Sequence, residues 1–275
     1  MRLLSAPKKL VPLAFVALWA GCAPNPTEPE ARVDLTGAPY LSPVTPRMGQ
    51  GRRPNAEGTL GGFKLLWIES KGVYCGASCY DAEHAYRELL DRYRDMGAQI
   101  DVSHADPLQE SEIAAYDMVW IALPANWYGS FSAEEADLIR TYVESGGSVQ
   151  ILSDGVTAPN ENLALVADRL GVSLAVEAAD YYAFTTEPLF GTRTVVTAGC
   201  GTVGGGTEWA VDGYTDGIVG VLDEIGEGRT LFLGDANAFT APSLRSPYGD
   251  NAAVSDVAVL WLTGLAEKPA RMTRQ

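Results

Sequence analysis

Apolar and polar positions divide the chain into three stretches. Leu10–Ala20 (LVPLAFVALWA) is an unbroken apolar run behind Arg2, Lys8 and Lys9. Residues 23–60 have almost no apolar periodicity and carry prolines at 24, 26, 29, 39, 43, 46 and 54. From Phe63 onward, short apolar runs alternate with three-and-four spacing. Phe63–Ile68 (FKLLWI) predicts a buried strand. Asp81–Met96 places Ala82, Ala85, Tyr86, Leu89, Leu90, Tyr93 and Met96 on one helical face, with Gly97 as its stop. Gln99–Val102 predicts a second strand, and Tyr116–Leu123 (YDMVWIAL) a third that is covered on both faces. Ser132 and Glu135 form a capping-box pattern that predicts a helix to Glu144, ended by Gly146-Gly147. Ser148–Leu152 is the fourth expected strand, and Asn162–Leu170 a helix closed by Gly171.

The second half reads differently. Strands are expected at Arg193–Ala198, Glu208–Val211, Ile218–Ile225 and Arg229–Leu233, with a hairpin at Gly226-Glu227-Gly228 and a closing helix over Val254–Leu265. Strands alternating with helices predict an α/β fold: a flavodoxin-like, doubly wound, mostly parallel sheet with a β-rich C-terminal half. It would occupy one domain, 61–267, followed by a short tail, 268–275.

The order of YDMVWIAL, FSAEEADLIRTYVESGGSVQILSD, NLALVADRLGV, GEGRTLFLGDANAF and DNAAVSDVAVLWLTG resembles the class I glutamine-amidotransferase-like superfamily. The resemblance is nearest to members without amidotransferase function, among them trehalose-utilisation proteins and bacterial envelope proteins. It implies a fold and leaves the reaction open. The residues themselves exclude amidotransferase chemistry. That reaction needs a Cys at the strand-to-helix turn and a later His, whereas the turn here is Ile151-Leu152-Ser153-Asp154-Gly155 and no histidine follows His104. Ser153 as a nucleophile would have only His84 or His104 to draw on, and it reads more simply as a turn residue.

The chain has 275 residues, with 47% hydrophobic and 20% charged, as expected of a globular protein. Its net charge of −15 gives it no general affinity for phosphate backbones, so nucleic acid is not an expected partner. Residues 1–22 read as an export signal, because the apolar run would rise only about 16 Å as a helix, too short to span a bilayer. Its end, Ala20-Gly21-Cys22, resembles the lipobox of bacterial lipoproteins. That resemblance implies a diacylated, palmitate-bearing Cys22, and Ala23 after it implies the outer membrane, facing the periplasm or the surface. The alternative is cleavage after Ala20 or Ala23 and soluble secretion. Residues 23–60 then serve as a Pro-rich disordered tether. Export places Cys75 and Cys79 in an oxidising compartment and favours a disulfide between them, with Cys200 left as a free thiol or an alternative partner.

In a parallel sheet the carboxyl ends of strands converge on one edge, where ligands usually bind. That edge is expected to carry Glu69, His104, Asn126, Trp127, Asp154, Asp235 and Asn237. Acids, amides and an aromatic there suit a glycan or another polar ligand, although Asp and Asn after strands also cap helices and shape turns. Paired carboxylates (Asp154, Asp235, Glu69) could instead serve as acid and base in a hydrolase acting on carbohydrate or a related polar substrate. Asp101, His104 and Asp106 lie close in sequence without more distant ligands, so no metal is expected. Gly199–Gly204 matches GxGxxG but leads into a strand rather than a helix, so no nucleotide cofactor is expected. The expected function is a non-catalytic, membrane-anchored lipoprotein that binds a glycan, an envelope component or a partner protein.

Overall fold

In order, the elements of the computed structural model are β1 (Lys64–Ile68), α1 (Arg87–Asp95), β2 (Gln99–Ser103), α2 (Glu110–Ile113), β3 (Met118–Ile121), α3 (Ala133–Glu144), β4 (Ser148–Leu152), α4 (Ala164–Arg169), β5 (Ser173–Ala178), β6 (Tyr182–Thr185), β7 (Thr194–Val196), β8 (Gly201–Gly204), β9 (Thr207–Asp212), β10 (Ile218–Ile225), β11 (Gly228–Leu233), α5 (Ala241–Leu244) and α6 (Asn251–Leu262). The described residues are 59–75, 79–125, 129–179 and 182–266. The expected signal, Cys22 and nearly all of the tether lie outside them. Among the described residues, no helix is long and apolar enough to cross a membrane.

Nine strands form one sheet in the order β2-β1-β3-β4-β11-β10-β9-β6-β7, and β5 pairs with β8 in a second, two-stranded sheet. The run from β2 to β11 is parallel. Beyond β11 every pairing is antiparallel, as is that of β5 with β8. The sheet is therefore mixed, and the expected flavodoxin-like, doubly wound, mostly parallel architecture is incorrect. The cause lies in the connections. A parallel neighbour needs a crossover, and helices supply crossovers only up to β4. After α4 the chain turns back through short Gly-rich links, such as Gly226-Glu227, which can join only antiparallel strands.

The parallel half holds the core. Every residue of β3 and β4 is buried, and α3 and α6 both pack against β4 and β11. Trp67 of β1 stacks on Trp120 of β3 at 4.9 Å, with Tyr86, just before α1, tilted against both. In the antiparallel half, Trp209 stacks on Phe190 at 4.7 Å and donates its indole N–H to the Phe232 carbonyl.

Local chemistry sets the element ends. At α3, Ser132 Oγ accepts the Glu135 N–H and Glu135 Oε2 accepts the Ser132 N–H, a complete capping box. α1 starts later than its apolar spacing suggests. Asp81 Oδ1 accepts the N–H groups of both Glu83 and His84, which holds residues 81–86 in turns. At the far margin of the sheet, Asp250 and Asn251 at the start of α6 bond β7. Asn251 Oδ1 accepts the Val196 N–H, its Nδ2 donates to the Val196 carbonyl, and Asp250 Oδ2 accepts the Thr194 N–H.

The two sheets meet where the backbone approaches most closely. Gly201 N–H donates to the Gly234 carbonyl, and a Cβ on Gly234 would lie 1.9 Å from the Gly201 carbonyl oxygen. Backbone on both sides leaves nothing to yield. Gly234→Ala is expected to destabilise the protein by about 3 kcal/mol or more. Urea unfolding checks this, and an unchanged midpoint would show that the contact is looser than described.

Candidate functional site

Because β1, β3, β4 and β11 run in parallel, the residues that follow them share one edge. The described chain brings Glu69, Asp154, Asp235 and Asn237 there. Asn126 and Trp127 fall outside the described residues.

Asp235 is fully buried and both its oxygens are engaged by the backbone. Oδ1 accepts the Asn237 N–H at 2.7 Å, and Oδ2 accepts the Ala198 N–H at 2.8 Å. Burial nevertheless pushes its pKa up to about 6 against these stabilising bonds. Asp154 is also buried. Its Oδ1 accepts the Gly155 N–H, and burial followed by repulsion from Asp235 raises its pKa to about 7. Asp154 is therefore the more readily protonated member of the pair. The loops they govern touch. A Cβ on Gly155 would lie 2.2 Å from the Gly199 carbonyl, and the Asn160 side chain fastens the same turn by bonding the Asp154 N–H and the Asp154 and Gly155 carbonyls.

Tyrosines wall the pair. Tyr80 donates its hydroxyl to Asn237 Oδ1 at 2.8 Å, and the hydroxyl of buried Tyr86 bonds the Ala236 carbonyl. Burial, then the charges of Tyr80, Asp235 and Asp154, lift the Tyr86 pKa well above its ordinary value. Cys200 is buried next to this group. Its thiol is pushed up to about 12, first by burial and then by Asp235, so it is not a thiolate nucleophile.

Glu69, its side chain 10% exposed, sits beside the open part of the edge formed by His104. Its Oε1 accepts the Ala82 N–H at 2.8 Å, Oε2 lies 3.8 Å from His104 Nδ1, and burial raises its pKa. His104 is 71% exposed, as is His84, which bonds Asp81 in the turn before α1 rather than riding on the helix. Ser153 is buried, and neither histidine is bonded to it. Asp101, His104 and Asp106 do not converge. They engage Tyr116, Glu69 and Lys71 respectively, and no group of three metal-ligating side chains occurs among the described residues. Gly201–Gly204, within the GxGxxG match, is strand β8.

Cys75 and Cys79 form a disulfide. Buried Lys71 joins Asp106 and Glu135, the latter at 3.1 Å, and its Nζ lies 5.8 Å from the Phe131 ring centre. Burial opposes the Lys71 charge, but the two carboxylates outweigh it and raise its pKa. Sequence reading missed Tyr80, Tyr86, Lys71 and the Ala198 amide. The tyrosines stand at core-like spacing, and a main-chain donor leaves no sequence signal.

No family model matches the chain, and no curated protein matches it. Among solved structures, the mmIFT52 N-terminal domain superposes with a TM-score of 0.61 at 16% identity, over 73% of this chain and 97% of that one. Cytoplasmic protein STM3548 from Salmonella typhimurium superposes with a TM-score of 0.51 at 16% identity, over 75% of this chain and all of that one. At such identities the likeness is one of fold alone. Neither is described as a glutamine amidotransferase, so the resemblance drawn from the sequence is corrected. The segments that suggested it, such as the helix ending Glu-Ser-Gly-Gly before a strand, are strand–turn–helix pieces that α/β sheets in general require.

The carboxyl pair sets a pH dependence. Both folded pKa values lie above the ordinary 3.8, so the fold is favoured by protonation. That contribution is complete below pH 3.8 and is lost as pH rises through about 6 and 7. Asp154→Asn keeps an acceptor for Gly155 and removes the repulsion. Relative to this variant, the parent is expected to lose on the order of 3 kcal/mol between pH 4 and pH 8. Parallel pH profiles from chemical unfolding would refute the coupling.

Proposed function

We propose that this chain is an exported, membrane-anchored binding module. It takes a glycan, an envelope component or a partner protein at the carboxyl edge of its parallel strands, without catalysis. One observation carries the non-catalytic reading: Asp235 is fully buried with both oxygens bonded to backbone amides. An acid or base must reach its substrate, and this carboxylate instead holds two loops in place. The exposed His104 is the group most open to a ligand, with Glu69 Oε2 3.8 Å behind it, and both suit hydroxyl and amide partners. The Cys75–Cys79 disulfide supports export, since such bonds persist in oxidising compartments, and the apolar run ending at Cys22 supports a lipid anchor at the outer membrane.

One feature favours a second reading, a carboxylate-dependent hydrolase of carbohydrate or a related polar substrate: Asp154 lies close enough to Asp235 to be repelled by its charge, and burial with that repulsion raises its pKa to about 7. Such an enzyme would need Asp235 to become accessible.

Two measurements test the proposal. Cys22→Ser is expected to move the protein from the membrane to the soluble fraction and to abolish labelling by a palmitate analogue; unchanged fractionation would remove the anchor. In thermal shift against a panel of envelope glycans, a ligand at 100 times its Kd should stabilise the parent by about 2.7 kcal/mol. Glu69→Gln is expected to lose most of this gain. Turnover of a glycoside by the parent, lost in Asp154→Asn, would overturn the binding reading in favour of the hydrolase.

A further inference from the structure

The Cys75–Cys79 disulfide adjoins a wall of the candidate site. Flanking it, Tyr74 N–H donates to the Leu123 carbonyl at the end of the β3 segment, and Tyr80 N–H donates to the Tyr74 carbonyl. The Tyr74 and Tyr80 rings stack with centres 5.9 Å apart. Tyr80 then reaches Asn237, whose N–H bonds Asp235, and the Ala82 N–H bonds Glu69. A continuous line of contacts thus runs from the sulfur bridge to three of the four acids and amides brought to the edge.

The bridge is open to exchange. Both cysteines are partly exposed, whereas Cys200 is buried. The bridge spans a sequence separation of only four, and short loops gain least from cross-linking. Bridges that solvent thiols can reach are the labile, regulatory kind. Nothing else in the wall depends on it covalently, so the β-sheet core would survive its loss.

We propose that Cys75–Cys79 is a thiol–disulfide exchange site for a dithiol protein partner, and that its redox state sets whether Tyr80 holds Asn237 at the carboxyl edge. This rests on the carboxyl edge being the binding site. A thiolate of the partner attacks one sulfur and forms a mixed disulfide, and the other cysteine leaves as thiolate and takes up a proton. The partner's second thiol then displaces the remaining cysteine. The partner departs as a disulfide, and Cys75 and Cys79 gain two electrons and two protons in all. Freed of the bridge, the Tyr74–Tyr80 stack loosens and the amides of Ala82 and Asn237 lose their shelter.

The test is hydrogen exchange on the mature chain, oxidised and after treatment with dithiothreitol, the dithiol probe. Thiol alkylation follows the reduction. Reduction below the unfolding threshold is expected to speed exchange at Ala82 and Asn237 at least tenfold, while amides of β3 and β4 stay unchanged. The double variant Cys75→Ser/Cys79→Ser should behave as the reduced chain does. Tyr80→Phe, with the bridge intact, should speed exchange at Asn237 alone. The proposal is overturned if the bridge resists dithiothreitol until the whole chain unfolds, or if Ala82 and Asn237 exchange at the oxidised rate once it is reduced. Failure to find a ligand would sink the binding reading without touching these rates.

Discussion

The Asp235 carboxylate is the point from which the site is organised. It sits at the end of the last parallel strand, out of contact with water, and grips two separate stretches of backbone: the link before β8 and the turn after β11. A buried charge is tolerated only where such donors replace water. Asp154 is then forced into a second role. With one charge already fixed beside it, it keeps a proton into the neutral range. Loop geometry and proton affinity at this edge thus share one cause.

A second charge cluster, centred on buried Lys71 and reaching the half-exposed Asp106, behaves differently. Lys71 is enclosed by Asp106 and Glu135, and Glu135 also accepts the N–H groups of Leu108 and Ser132. It therefore joins the strand β1 exit, the start of α3 and the segment before α2. Breaking such an enclosed cluster on one side leaves a charge without a partner, which is costlier than never having buried it. The acidic pair is tunable by protonation, whereas the lysine is held by ion pairs on two sides.

Much of the parallel half was legible in the sequence. The Ser132–Glu135 box, the continuous apolar runs of β3 and β4, and the hairpin after Ile225 are all where local chemistry puts them. So were the acids at the strand ends, because a residue that follows a parallel strand is placed by topology. Strand direction was not legible. Periodicity reports which face is buried and is silent on which neighbour a strand meets, so the antiparallel half was read as an appendage to a parallel sheet. Strand β8 was hidden for a further reason. Its glycines read as a loop, yet Gly204 lies so close to Ser173 that a Cβ would fall 2.6 Å from the hydroxyl oxygen. Tyr86 was visible only as a hydrophobic helix position and Tyr80 not at all, since their hydroxyl partners lie some 150 residues away.

The way α6 grips β7 has a consequence for how molecules of this protein meet. An open sheet can grow by adding strands from a neighbour at either margin, the route to edge-to-edge polymers. At the β7 margin the outward groups of Thr194 and Val196 are already occupied by Asp250 and Asn251. At the opposite margin, Gln99 N–H and the Ser103 carbonyl are turned inward to Phe63 and Glu69, so only Ile100 and Val102 of β2 present outward groups. Crowded copies therefore have a two-residue foothold at one end and none at the other. Such margins oppose growth of the large sheet by strand addition, independently of its charge.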